Sequence, residues 1–137
     1  MQLLILFSQL KDFALLALRV ALGAVFIVHG FGKRATWKAQ PSAQMPARML
    51  TIFRMLSVLE PLGGAAAIVG LLTVPAALGM AAAMVGAIRF KLMVWKVPFM
   101  AYDKTGWEFD MVTLAGAVIL VFFGGGAFSA DRLLLGW

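Results

Sequence analysis

The only histidine of the chain, His29, sits in the stretch IVHGFGKR, ahead of Gly30, Gly32 and Lys33. An imidazole at this place can bind a metal, carry a proton, or end a buried helix as a hydrogen-bonded polar group. The metal option fails on ligand count. There is no second histidine and no cysteine, and carboxylates alone suit harder ions. The same shortage excludes disulfides, iron–sulfur clusters, a cysteine nucleophile and a bis-histidine haem within the chain. What remains is hydrogen bonding and proton exchange. The two candidates for it are His29, a side-chain type that titrates near neutral pH, and Glu60, an acid inside an apolar run. A charge at the centre of a membrane helix costs about 2.5–3.5 kcal/mol and usually faces a cavity or a partner. Arg19, Gly30, Lys33, Arg89, Glu108 and Asp110 are the residues expected to surround a pocket of this kind. Blander roles stay open for several of them. Acids at a helix start are favoured by the helix dipole, which covers Glu108 and Asp110. Lys33, Arg89 and Lys91 could be interfacial anchors, and His29 could simply bond a neighbouring helix.

These residues need elements that hold them in lipid. The 137-residue chain is 63% hydrophobic and 13% charged, with a mean hydropathy of +0.96. Soluble domains are about 45–50% apolar and about 25% charged. With so little charged surface, a water-soluble fold would expose large apolar patches. The sequence therefore predicts one all-α domain over residues 1–137, a polytopic bundle of four transmembrane helices. The net charge of +6 does not indicate nucleic acid, because the basic residues sit at the ends of apolar runs. The N-terminus lacks a basic n-region and a small-residue cleavage site, so a removable signal peptide is not expected.

A bilayer core needs roughly 20 apolar residues as helix. Four runs approach this, at about 13–31, 50–73, 75–94 and 111–128. Residues 1–10 are apolar but too short to span; they extend the first helix or lie in the interface. Pro75 suits a first helical position and makes the second connection tight. Small residues four apart, Gly63/Ala67 and Ala66/Gly70 in the second helix and Ala82/Gly86 and Ala83/Ala87 in the third, predict close packing of those two helices. Arg19 and Glu60 both fall on inward faces. At 1.5 Å per residue they lie about 9 and about 15 Å from the same membrane surface, so an Arg19–Glu60 pair is expected.

Lys and Arg are unevenly shared. Eight (Lys33, Arg34, Lys38, Arg48, Arg89, Lys91, Lys96, Lys104) fall in or beside the two long connections, and two (Lys11, Arg132) fall on the opposite side. The positive-inside rule places the long loops in the cytoplasm and both termini outside, in a cell (inner) membrane.

Three stretches together resemble a family. LRVALGAVFIVHGFGK looks like the first-helix signature of DoxX-family membrane proteins, LEPLGGAAAIVGLLTVPAALG is similar to their second motif, and GGGAFSADRLL to their closing segment. The resemblance implies a four-helix membrane protein and, by position, carries over Arg19, Gly23, His29, Gly30, Lys33, Glu60 and Gly63. Family members are associated with membrane oxidoreductases, including a thiosulfate:quinone oxidoreductase. Two functions follow as expectations. One is a membrane subunit of a redox complex, with no intrinsic cofactor, a quinone as its ligand, and a soluble or membrane redox protein as its partner. The other is an accessory or assembly subunit without redox chemistry, whose basic loops meet a soluble partner or anionic lipid. A small transporter is a weaker third, since the chain shows no inverted repeat. A homo-oligomer is compatible with each.

Overall fold

The computed structural model describes residues 2–136; Met1 and Trp137, the ends of the single expected domain, lie outside them. All the regular structure among the described residues is helical. The chain runs α1 (Gln2–Gly32), a short 3-10 helix (Lys33–Trp37), α2 (Ala47–Val69), α3 (Thr73–Met93), α4 (Trp107–Phe123) and a final π-helical turn (Asp131–Leu135). The apolar N-terminal residues extend α1, which reaches 31 residues, or about 46 Å. Three helical segments, Leu10–Trp37, Ala47–Val69 and Thr73–Met93, are long and apolar enough to cross a membrane. The fourth differs from the span expected at 111–128. It begins earlier, at Trp107, and ends at Phe123, because Gly124 takes a positive φ that stops the helix. Its 17 residues cover about 25 Å.

The second connection is longer than the run boundaries suggested: residues 70–72 join α2 to α3, where the expected spans left one residue between them. Gly70 sits in the left-handed region at φ +73 and closes α2, with its N–H and that of Leu71 both donating to Ala66 O at 2.8 and 2.9 Å. This is the glycine-terminated helix end that satisfies orphan carbonyls. α3 then starts at Thr73, so Pro75 lies inside the first turn, where its missing N–H costs nothing.

The helices form two close hairpins, α1 with α2 and α3 with α4, while α2 and α3 touch less. The packing expected between α2 and α3 is thus displaced to α1 and α2. There the backbones cross at Gly23 and Gly64. A Cβ on Gly23 would lie 2.5 Å from Gly64 O, and one on Gly64 would lie 2.6 Å from Gly23 O. Gly30 makes a second such contact, against the ring of Pro61 inside α2. Two apolar clusters join the hairpins: Phe26 from α1, Ala67 from α2, Met80 and Met84 from α3 and Ala117 from α4 in one, and Leu15 and Leu22 from α1, Ala77 from α3 and Leu120 from α4 in the other. The last turn of α1, the start of α2, the end of α3 and the start of α4 share one end of the bundle, here called the loop end. The α2–α3 turn and the segment after α4 share the other, the turn end.

Candidate functional site

Where α2 and α3 diverge, a cavity of about 450 Å³ opens at the loop end. His29 and Lys33 reach it from the end of α1, Glu60 from the middle of α2, Lys91 from the end of α3 and Asp110 from the first turn of α4. Helical spacing selects these faces. Ala77, Met80 and Met84 form the buried stripe of α3, and Lys91 continues it one repeat further on. Asp110 begins the buried stripe of α4 that runs on through Thr113 and Ala117.

The charges are paired. Lys33 Nζ binds Glu60 Oε2, and Lys91 Nζ binds Asp110 Oδ2 at 2.7 Å. Lys91 also donates to Gly106 O at 3.0 Å, which ties the long connection before α4 to the site. Both acids are buried, Glu60 at 5% and Asp110 at 5% exposure. Acids buried in this way persist as charges only beside such cations. Among the described residues His29 has no ion-pair partner; its ring stacks on Phe109, with centroids 5.4 Å apart and planes 21° from parallel. Phe53, Phe90 and Trp95 form an aromatic cluster at the cavity wall, with centroids 6.1 to 6.4 Å apart.

A second cavity of about 390 Å³ continues towards the turn end and shares Leu56, Glu60, Gly79 and Ala83 with the first. The two make one groove between α2 and α3. Its small residues explain it: Gly63, Gly79 and Gly86 have nothing within 4 Å of where a Cβ would stand. Glycines expected to draw α2 and α3 together instead leave space between them. The groove is apolar along most of its length and polar at the loop end. It has the shape and chemistry of a site for an amphipathic small molecule: a headgroup beside His29 and the two ion pairs, and a hydrocarbon part along the glycines and alanines.

Other expected site residues lie elsewhere. Gly30 supports the site from behind, since a Cβ there would press on Pro61 and on the Cβ of Glu60. Arg89 is exposed and does not line the groove. It lies two positions before Lys91, which turns it about 200° away. Glu108 folds back over Gly106, with its N–H donating to Phe99 O at 3.1 Å. Its Oε2 is buried and finds no hydrogen-bond partner among the described residues.

Arg19 is at the opposite end, and the expected Arg19–Glu60 pair does not form. Arg19 is fully buried and donates from Nη2 to Phe128 O at 2.8 Å, while its guanidinium packs over Gly70. Asp131, which the sequence did not single out, holds this end together. Its carboxylate accepts the N–H groups of Leu72 and Thr73 at 2.6 and 2.8 Å, and its own N–H donates to Gly70 O at 2.8 Å. This caps α3 and stabilises Leu72 at φ +52. Burial opposes the Asp131 charge. The nearby Thr73 hydroxyl, these two N–H groups and Arg19 acting through space outweigh it and hold the carboxyl below the usual carboxylate range. Asp12 Oδ1 makes a similar link by accepting Ala127 N–H at 3.0 Å.

The DoxX family model matches residues 14–95, from near the middle of α1 to just past α3. The chain belongs to the DoxX family. Within that match lie Arg19, His29, Lys33, Glu60 and Lys91, so the DoxX region supplies four of the five polar groups at the groove. Asp110 comes from α4, beyond the match, as does the Asp131 cap. No curated protein and no solved structure matches the chain.

Proposed function

We propose that this DoxX protein is a membrane subunit of a redox complex that binds a quinone in the α2–α3 groove. The observation that carries this reading is the groove itself, open along two glycine- and alanine-rich helices and ending at His29, Lys33–Glu60 and Lys91–Asp110. A quinone needs an apolar slot for its tail and hydrogen-bonding, proton-exchanging groups at its carbonyl oxygens. His29 is the titratable group at the cavity left outside the ion pairs, and we assign it the headgroup contact, with Glu60 behind it. Electrons reach the site from a partner protein. α4 completes a four-span bundle together with the Gly124–Phe128 segment, and the loop end faces the cytoplasm.

Purification in a mild detergent, followed by solvent extraction and quinone assay, tests the reading. The wild-type protein should carry quinone. His29→Ala should weaken binding roughly 2- to 12-fold, the worth of one hydrogen bond. Gly79→Leu should abolish binding by filling the groove at a position with free space around it. His29→Gln should keep more binding than alanine. Quinone binding indifferent to both the His29→Ala and Gly79→Leu changes would remove the assignment.

A second role, as an accessory or assembly subunit, is favoured by one observation: both acids at the groove are already paired with lysines. In that role the polar groups serve only to join the helices, and no quinone co-purifies.

A further inference from the structure

Beside the groove, with Leu62 lining both, the 3-10 helix Lys33–Trp37 folds over α2 and leaves a crevice of about 600 Å³. Arg34 stands at its mouth. Its guanidinium lies on the Phe31 ring, 4.0 Å from the centroid, and among the described residues it has no carboxylate partner. A guanidinium stacked in this way keeps its N–H edge free, in the fork geometry that matches two phosphate oxygens. Trp37 forms the opposite wall. Its indole N–H donates to Ser57 Oγ at 2.9 Å, and that hydroxyl donates to Arg54 O at 2.7 Å, which fixes the ring. Arg54 fixes the backbone too, donating to Thr36 O and Ala39 O at 3.1 and 3.0 Å. The floor is apolar, made by Val58, Pro61 and Leu62.

The local charge is one-sided. Residues 32–49 hold Lys33, Arg34, Lys38 and Arg48 and no acid, and Lys33 is spent on Glu60. A preformed cationic mouth above an apolar floor, at the end of a membrane-crossing helix, is complementary to one ligand class. We infer that this crevice binds an anionic phospholipid, with its phosphate on Arg34 and an acyl chain along Val58 and Leu62. An acidic protein segment would satisfy the arginine but not the exposed floor, which is continuous with the lipid-facing side of α2.

Native mass spectrometry of the full chain from a neutral detergent, with equal amounts of phosphatidylglycerol and phosphatidylcholine, tests this. Phosphatidylglycerol should be retained in preference. Arg34→Gln should lower its retention about fivefold, the effect of one basic residue near an anionic lipid, and Arg34→Lys should restore part of it. Lys38→Gln, at an exposed site in the same loop, should change little. The proposal is overturned by equal retention of the two lipids, or by Lys38→Gln acting as strongly as Arg34→Gln, which is diffuse attraction. Displacement of the bound lipid by millimolar inorganic phosphate overturns it in favour of a free-anion site. Displacement by a polyglutamate peptide does so in favour of a protein partner.

Discussion

Glu60 and Lys33 lie 27 residues apart and meet where water is scarce. Such a pair is held as much by the penalty of separating it as by its own attraction. Removing one member of a buried pair costs about 3–5 kcal/mol, because the other charge is left alone. Lys33 keeps 18% side-chain exposure, so its loss should sit at or below the low end of that range. Glu60→Leu and Lys33→Met should each lower stability against denaturing detergent, and the double change should recover much of the loss. Arg19→Leu combined with Glu60→Leu should instead be additive, since distant sites do not couple. Coupling of Arg19 to Glu60 in this cycle would contradict the observed pairing. The sequence showed that Arg19 and Glu60 face inward, and both are buried. It could not show what they meet. Arg19 binds a main-chain carbonyl whose place is set by the turn at Gly124–Gly126, and a backbone acceptor leaves no mark in residue types. Lys91 did leave one. Its position on the Ala77–Met80–Met84 stripe marks it, rather than Arg89, as the inward cation.

Helix pairing turns on which glycine faces which neighbour. Gly63 and Gly64 are adjacent, so they point about 100° apart. Gly64 meets Gly23 of α1, and Gly63 meets nothing within 4 Å. Gly30 on α1 faces the Pro61 ring, which cannot turn aside because it is built into α2. Gly30→Ala and Gly23→Ala should therefore each destabilise the protein, by about 1–3 kcal/mol for forced overpacking. Gly63→Ala should leave stability unchanged or raise it by up to about 1 kcal/mol, the helix-propensity gain over glycine. Thermal unfolding in detergent distinguishes them; loss of stability at Gly63 equal to that at Gly30 would place Gly63 in the interface after all. Three of the expected spans were legible because a bilayer demands about 20 apolar residues in a row. The pairing of α2 with α1 was not, because several small-residue faces compete and periodicity does not rank them. The ends of α2 and α3 shifted for a related reason: a cap supplied by Asp131, 58 residues beyond Thr73, decides where α3 begins.

At the scale of the molecule, eight of the basic residues gather at or near the loop end, and the turn end has Lys11, Arg19 and Arg132. Pairing of Lys33 and Lys91 with acids does not erase the asymmetry. The positive-inside rule counts lysines and arginines rather than net charge, and even without those two the loop end leads six to three. The loop end should face the cytoplasm. The count was available from the sequence, and the two hairpins supply the geometry that brings both long connections to one surface. Whether the 17-residue α4 crosses the membrane is a separate question, and the same experiment answers it. Reporters inserted near Ser42 and near Asp103 should behave as cytoplasmic. One fused at the C-terminus should behave as periplasmic, because α4 then returns the chain to the outer side, where the Asp131 cap meets the α2–α3 turn. Inversion of all three labels would reverse the orientation. A C-terminal reporter on the same side as the Asp103 reporter would reduce the bundle to three spans. It would also be hard to reconcile with the bonds from Asp131 to Leu72 and Thr73, since these require the end of the chain to reach the turn between two membrane-crossing helices.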